Sequence, residues 1–102
     1  MTEPLLPADC NTMTDVRAGV DALDRRIVGL LTERFAYMRA AARIKPERGH
    51  VRDEARKAEV IANAAGEAGT RGIPADAIAA MWETLVEASI AYEMEEFDRL
   101  RG

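Results

Sequence analysis

The feature that most constrains this chain is a run of about thirty residues, Asp15 to Lys45, that carries a helical apolar stripe and no proline. Val16, Val20, Leu23, Ile27, Leu30, Met38 and Ala41 recur at spacings that place them on one face of an α-helix. Gly19 and Gly29 are lapses a helix absorbs, and Pro46 is the first residue that must end it. Thr12 or Thr14 can cap its start, and Asp15 suits the positive end of its dipole. Such a helix measures roughly 45 Å at about 1.5 Å per residue. A compact globule of this size has a radius of gyration of only about 13 Å. The remaining residues are too few to cover the helix from end to end, so a partner chain is expected to do so. The expected architecture is an intertwined helical homodimer, with an elongated monomer as the alternative. Small domains gain stability from association.

The rest of the sequence continues in helical period. A second helix is predicted from about Arg52 to Ala68, with Ala55, Ala58, Ile61, Ala62 and Ala65 on one side and Gly69 as its stop. Pro74 fits the first position of a third helix. That helix carries Ile78, Met81, Trp82, Leu85, Ser89 and Tyr92, and ends near Leu100. β-branched residues are few and alanine is abundant, which favours helix over strand. The fold class expected is therefore all-α, a three-helix chain with a long first helix. Residues 1–13 hold Pro4, Pro7 and Asn11 without periodicity and read as a flexible N-terminal arm, with a helical domain over 14–102.

Charge and composition narrow the function classes. The 102 residues carry a net charge of −4, which suits neither nucleic acid nor an anionic membrane as main partner. Any anion site must be a local cluster of cations. One cysteine, Cys10, and one histidine, His50, leave no disulfide and no zinc set. The N-terminus has no basic start and no long apolar run, so neither a secretion signal nor a membrane span is expected, and a cytoplasmic location is the default. No Gly-rich phosphate loop, Ser/His/Asp arrangement or catalytic Cys/His pair is present, and neither metal nor cofactor is expected.

Several residues break the pattern. On the first stripe, Arg34 and Lys45 stand where the core should be, eleven residues apart and hence on nearly the same face. Buried cations are costly unless paired. Protein carboxylates or a ligand can satisfy them, or the long side chains can reach solvent at the helix edge. Arg17 lies beside the same stripe and is open to the same alternatives. Asp53, Arg56 and Lys57 have the spacing of ordinary helical ion pairs, and such pairs can also orient Arg56 toward a ligand. On the third helix, Ser89 and Glu93 are four apart and extend the face of Trp82 and Val86. Ser89 alone reads as a small core residue. Glu93 on that face requires solvent, a partner or a proton. Trp82, Met81 and Tyr92 read as packing.

This ordered set resembles the all-helical family of chorismate mutases, which includes the related isochorismate pyruvate lyases. The resemblance covers about Thr14 to Phe97. It is carried by Val16-Arg17, Val20, Leu23-Asp24, Leu30-Leu31-Thr32-Glu33-Arg34 and Lys45, by Val51-Arg52-Asp53 with Arg56, and by Ser89 and Glu93. It implies a homodimer whose long first helices cross between subunits, acting without a cofactor on a small dicarboxylate, chorismate or isochorismate. Arg34 and Arg56 would bind the substrate carboxylates, with Arg17 from the other chain. Arginine suits this because its fork holds a carboxylate bidentately. Lys45 and Glu93 would donate hydrogen bonds to the ether oxygen, and Asp53 and Ser89 would contact the ring hydroxyl and carboxylate end. The implied reaction is the rearrangement of chorismate to prephenate. It requires a compact conformer and positive charge at the breaking C–O bond, not a nucleophile.

Two positions depart from the family pattern. Lys57 stands where many mutases place Glu, which weakens the expected contact to the ring hydroxyl. Glu93 stands where many bacterial members have Gln, so Glu93 must carry its proton to donate. Asp9-Cys10 ahead of the first helix and Lys57 lean toward the lyase, which converts isochorismate to salicylate and pyruvate; Ser89 leans toward the mutase. A non-catalytic helical interaction module is the remaining alternative, and it has no use for Arg34 and Lys45 on the stripe.

Overall fold

The computed structural model describes residues 3–102. Three α-helices account for most of them: α1 (Met13–Ile44), α2 (Glu54–Thr70) and α3 (Ala75–Arg101). Short 3-10 turns lie at Pro7–Asp9 and Arg48–His50, and the described residues contain no strand. The all-α, three-helix expectation holds. The chain divides into two compact units, one ending at Arg34 and the other spanning Phe35–Gly102.

In the first unit, Thr12 is the residue that caps α1. Its Oγ1 accepts from the Asp15 N–H at 3.1 Å, while Asp15 Oδ2 accepts from the Thr12 N–H at 3.2 Å. This reciprocal box satisfies donors that the first helical turn leaves open. The Asn11 N–H also donates to Asp15 Oδ2, at 3.1 Å. The Asn11 amide is the main reason the Asp15 carboxyl lies below its ordinary range, helped by Thr12. Residues 3–7 and Cys10 border a groove of about 540 Å³ whose other wall includes Val16, Val20 and Leu23 of α1. The stripe Val16, Val20, Leu23, Ile27 and Leu30 is 39–63% exposed.

The second unit holds the buried cluster. Ala42, Val51, Val86, Ile90 and Phe97 form its centre, with Val60, Ile61, Trp82 and Met94 against them. α2 packs along α3. The covered face of α2 matches the alanine-rich side read from sequence only in part: Ile61 and Ala65 of that side are half-buried, Ala55, Ala58 and Ala62 are exposed, and Val60, Ala64 and Ala68 complete the covered face. Val60 and Ile61 are bulkier than alanine, and burying them removes more apolar surface from water. Met81, expected to pack, is 59% exposed.

Both ends of α2 also shift. Asp53 has extended backbone and acts as the N-cap, so the helix begins at Glu54 and not at Arg52. Gly69 lies inside the helix, and the stop is Gly72, whose φ of 76° is left-handed. There the Gly72 N–H donates to Gly69 O (3.2 Å) and the Ile73 N–H to Ala68 O (3.0 Å). This closing pair of bonds needs a left-handed residue just before Ile73, a conformation glycine adopts without steric cost.

Candidate functional site

α3 buries a face that is apolar at Val86, Ile90 and Phe97 but polar at Ser89 and Glu93. Glu93 is 4% exposed. Its Oε2 accepts from Lys45 Nζ at 2.6 Å. Lys45 sits just past the last residue of α1, with its own N–H bonded to Ala41 O at 2.9 Å. One turn before Glu93, the Ser89 hydroxyl donates to Leu85 O at 2.7 Å. The expected trio of Lys45, Ser89 and Glu93 therefore lies on or against one buried face of the second unit.

The pair is asymmetric. The Glu93 side chain is 5% exposed, the Lys45 side chain 30%. A buried carboxylate needs its partner. A partly open ammonium carries three donors. Lys45 can hold Glu93 and still present positive charge to an anionic or electron-rich ligand.

The other predicted residues have different surroundings. Asp53 Oδ1 accepts from the Arg56 backbone N–H at 3.0 Å, so its carboxylate serves the helix start. The Arg56 guanidinium pairs with Glu59, one turn along α2. The anticipated side-chain pairs of Asp53 with Arg56 and Lys57 are not the ones formed, because the cap occupies Asp53 and acidic residues of α3 face Lys57. Lys57 Nζ lies 2.7 Å from Glu83 and 2.9 Å from Glu87. Arg52 holds Glu87 through two bonds of 2.8 and 3.0 Å, and reaches Glu54 at 2.8 Å. The Arg52 guanidinium, followed by Lys57, pulls the Glu87 carboxyl down to about 2. Glu83, then Glu87, raises the Lys57 ammonium. Arg17 and Arg34 belong to the first unit, Arg17 exposed and Arg34 half-buried.

Sequence reasoning missed three features of the second unit. Glu87 is the hub of the α2–α3 charge network. Arg48 clasps Asp98 at 2.9 and 3.3 Å. Arg101 lies over the Phe97 ring and bonds to backbone carbonyls at the end of α1. Apart from Arg101's stacking on its own helix, these partners are far apart in sequence, and no local pattern announces them.

The chain belongs to the chorismate mutase type II family, whose model matches residues 16–94. It is 27% identical over 96 residues to the isochorismate pyruvate lyase of Pseudomonas aeruginosa, an alignment covering 94% of this chain and 95% of that protein. Among the described residues no helix is long and apolar enough to cross a membrane.

Proposed function

We propose that the protein is a chorismate mutase, converting chorismate to prephenate within an intertwined homodimer. The observation that carries this reading is the Lys45–Glu93 pair, a polar contact set beside the apolar cluster of the second unit and left open on the lysine side. In the rearrangement one C–O bond breaks as a C–C bond forms, with no exchange of protons or electrons. The protein's task is to hold the reacting ends together and stabilise charge on the ether oxygen. Lys45 supplies the ammonium, and Glu93, which accepts from it at 2.6 Å, holds that ammonium at the site. Arg34 and Arg56, with Arg17 of the second copy, bind the two carboxylates. Ser89 and Asp53 border the ring end. Residues 14–102 form the catalytic helical domain. Two facts support the dimer. The α1 stripe is exposed in the single chain, and burying apolar area at about 25 cal/mol per Å² favours covering it. The reading places the enzyme in the cytoplasm, working with no cofactor.

The second reading is isochorismate pyruvate lyase. It is favoured by the near full-length match to a protein of that name. The two reactions are separated by incubating the purified protein with chorismate and with isochorismate in turn and identifying products. Prephenate from chorismate is the expected result. Salicylate and pyruvate from isochorismate alone would replace the mutase with the lyase, and inertness toward both would end the enzymatic reading. Lys45→Ala is expected to lower kcat roughly 10²- to 10³-fold, the usual cost of losing one donor to developing charge. Glu93→Gln adds an N–H donor where the carboxylate only accepts, and is expected to keep kcat at or above the wild-type value.

A further inference from the structure

Arg101 is the last residue of α3 and lies beyond the stretch matched by the family model. Its guanidinium carbon sits 3.6 Å from the centre of the Phe97 ring. From that platform Nη1 donates to Ala42 O at 3.0 Å and Nη2 to Lys45 O at 2.8 Å. A weaker bond of 3.4 Å reaches Phe97 O. The last carbonyls of an α-helix have no partner within it and carry its negative dipole end. A cation that binds two of them fixes the final turn. Phe97 is buried, and it shares α3 with Glu93, one turn earlier. One side of α3 therefore carries both the carboxylate that takes the Lys45 ammonium and the guanidinium that takes the Lys45 carbonyl.

We propose that Arg101 is a positioning residue, which grips the backbone of Lys45 through its carbonyl and thereby aims the ammonium at Glu93 and at the substrate. This rests on the reading of Lys45 as a group that touches substrate. The mechanism is geometric. Pro46 follows Lys45 and carries no N–H. The turn that presents Lys45 is held from within by its own N–H on Ala41 O and from outside by Arg101 on its carbonyl. Arginine is required because two carbonyls are bridged by one planar fork.

The test uses the full chain labelled with 15N-lysine. The sequence holds only two lysines, Lys45 and Lys57, so the side-chain spectrum is simple. Arg101→Ala is expected to lower kcat by roughly tenfold to a hundredfold, the scale of a small misplacement of a catalytic group. KM should stay within about twofold, because an interaction made in the transition state is the one lost. The Lys45 side-chain signal should move toward that of a free lysine, while the Lys57 signal, held by Glu83 and Glu87, stays in place. Arg101→Lys reaches one carbonyl and should fall between the two. A Lys45 signal unmoved in folded Arg101→Ala would overturn the proposal whatever the kinetics. So would an unchanged kcat alongside lost thermal stability, since Arg101 would then be a stability residue only. If the wild type turns over neither chorismate nor isochorismate, the catalytic reading of the site fails, and the Lys45 signal alone then decides whether Arg101 positions that side chain.

Discussion

Glu93 illustrates how one residue can be costly to the fold and useful to the site. Its carboxylate occupies a position on α3 where neighbours on the same face are Val86, Ile90 and Phe97. Lys45 makes it tolerable at 2.6 Å. Removing one partner of a buried pair leaves a charge or a void behind. Glu93→Ala is therefore expected to destabilise the protein by about 3 kcal/mol, the low end of the usual range because Lys45 is partly open. Urea unfolding checks this, and a loss under about 0.5 kcal/mol would mean the pair is energetically idle. Sequence pattern identified Lys45, Ser89 and Glu93 as misfits on apolar faces. It left solvent and burial equally open for Glu93, because a helical period places a residue on a face without stating what covers that face.

At the scale of elements, helix ends are set by short-range bonds, and those bonds have predictable worth. Thr12 closes the capping box at the start of α1, so Thr12→Ala should cost about 1 kcal/mol. Gly72 ends α2 with a left-handed φ of 76°. Gly72→Ala is expected to cost about 1–2 kcal/mol, the penalty for an L-residue in that region. Gly69→Ala should be neutral or stabilising, since Gly69 is helical and nothing lies within 4 Å of its added Cβ. Thermal melts of the two glycine variants would separate them, and equal effects would contradict the assignment of the stop. Gly69 looked like the stop because glycine near the end of a periodic run signals one. The Schellman bonds of Gly72 and Ile73 show which glycine turns.

At the scale of the whole molecule, charge pairing sets the acid limit of stability. Glu87 is held at about 2 against an ordinary 4.5, mainly by Arg52 and then by Lys57. Glu96 is also lowered, by Arg99. For a carboxyl depressed on folding, stability is fully present above the ordinary value and lost as pH falls toward the folded value. The melting temperature should therefore decline from about pH 4.5 down to about pH 2, and Glu87→Gln should make the decline shallower. Added salt should weaken this contribution, because these pairs lie at the surface. The exposed α1 stripe makes a second prediction at this scale. Melting temperature should rise with protein concentration if a second copy covers Leu23 and Ile27. Leu23→Glu should then yield a slower-sedimenting species and lost turnover.

Sequence by itself determined the all-helical class, the length of α1 and the residues that interrupt its apolar stripe, because periodicity and proline placement act over a few residues and need no knowledge of neighbours. Only the tertiary structure decided that Val60 joins Ile61 on the covered face of α2 while Ala55, Ala58 and Ala62 stay exposed. It likewise decided that Asp53 spends its carboxylate on a cap, that Lys57 reaches Glu83 and Glu87, and that Arg101 holds the turn of Lys45. Except for the cap, those outcomes depend on which helix faces meet. Contacts between residues that are thirty to sixty positions apart are chosen by packing, where each side chain competes for the partner that best offsets its burial.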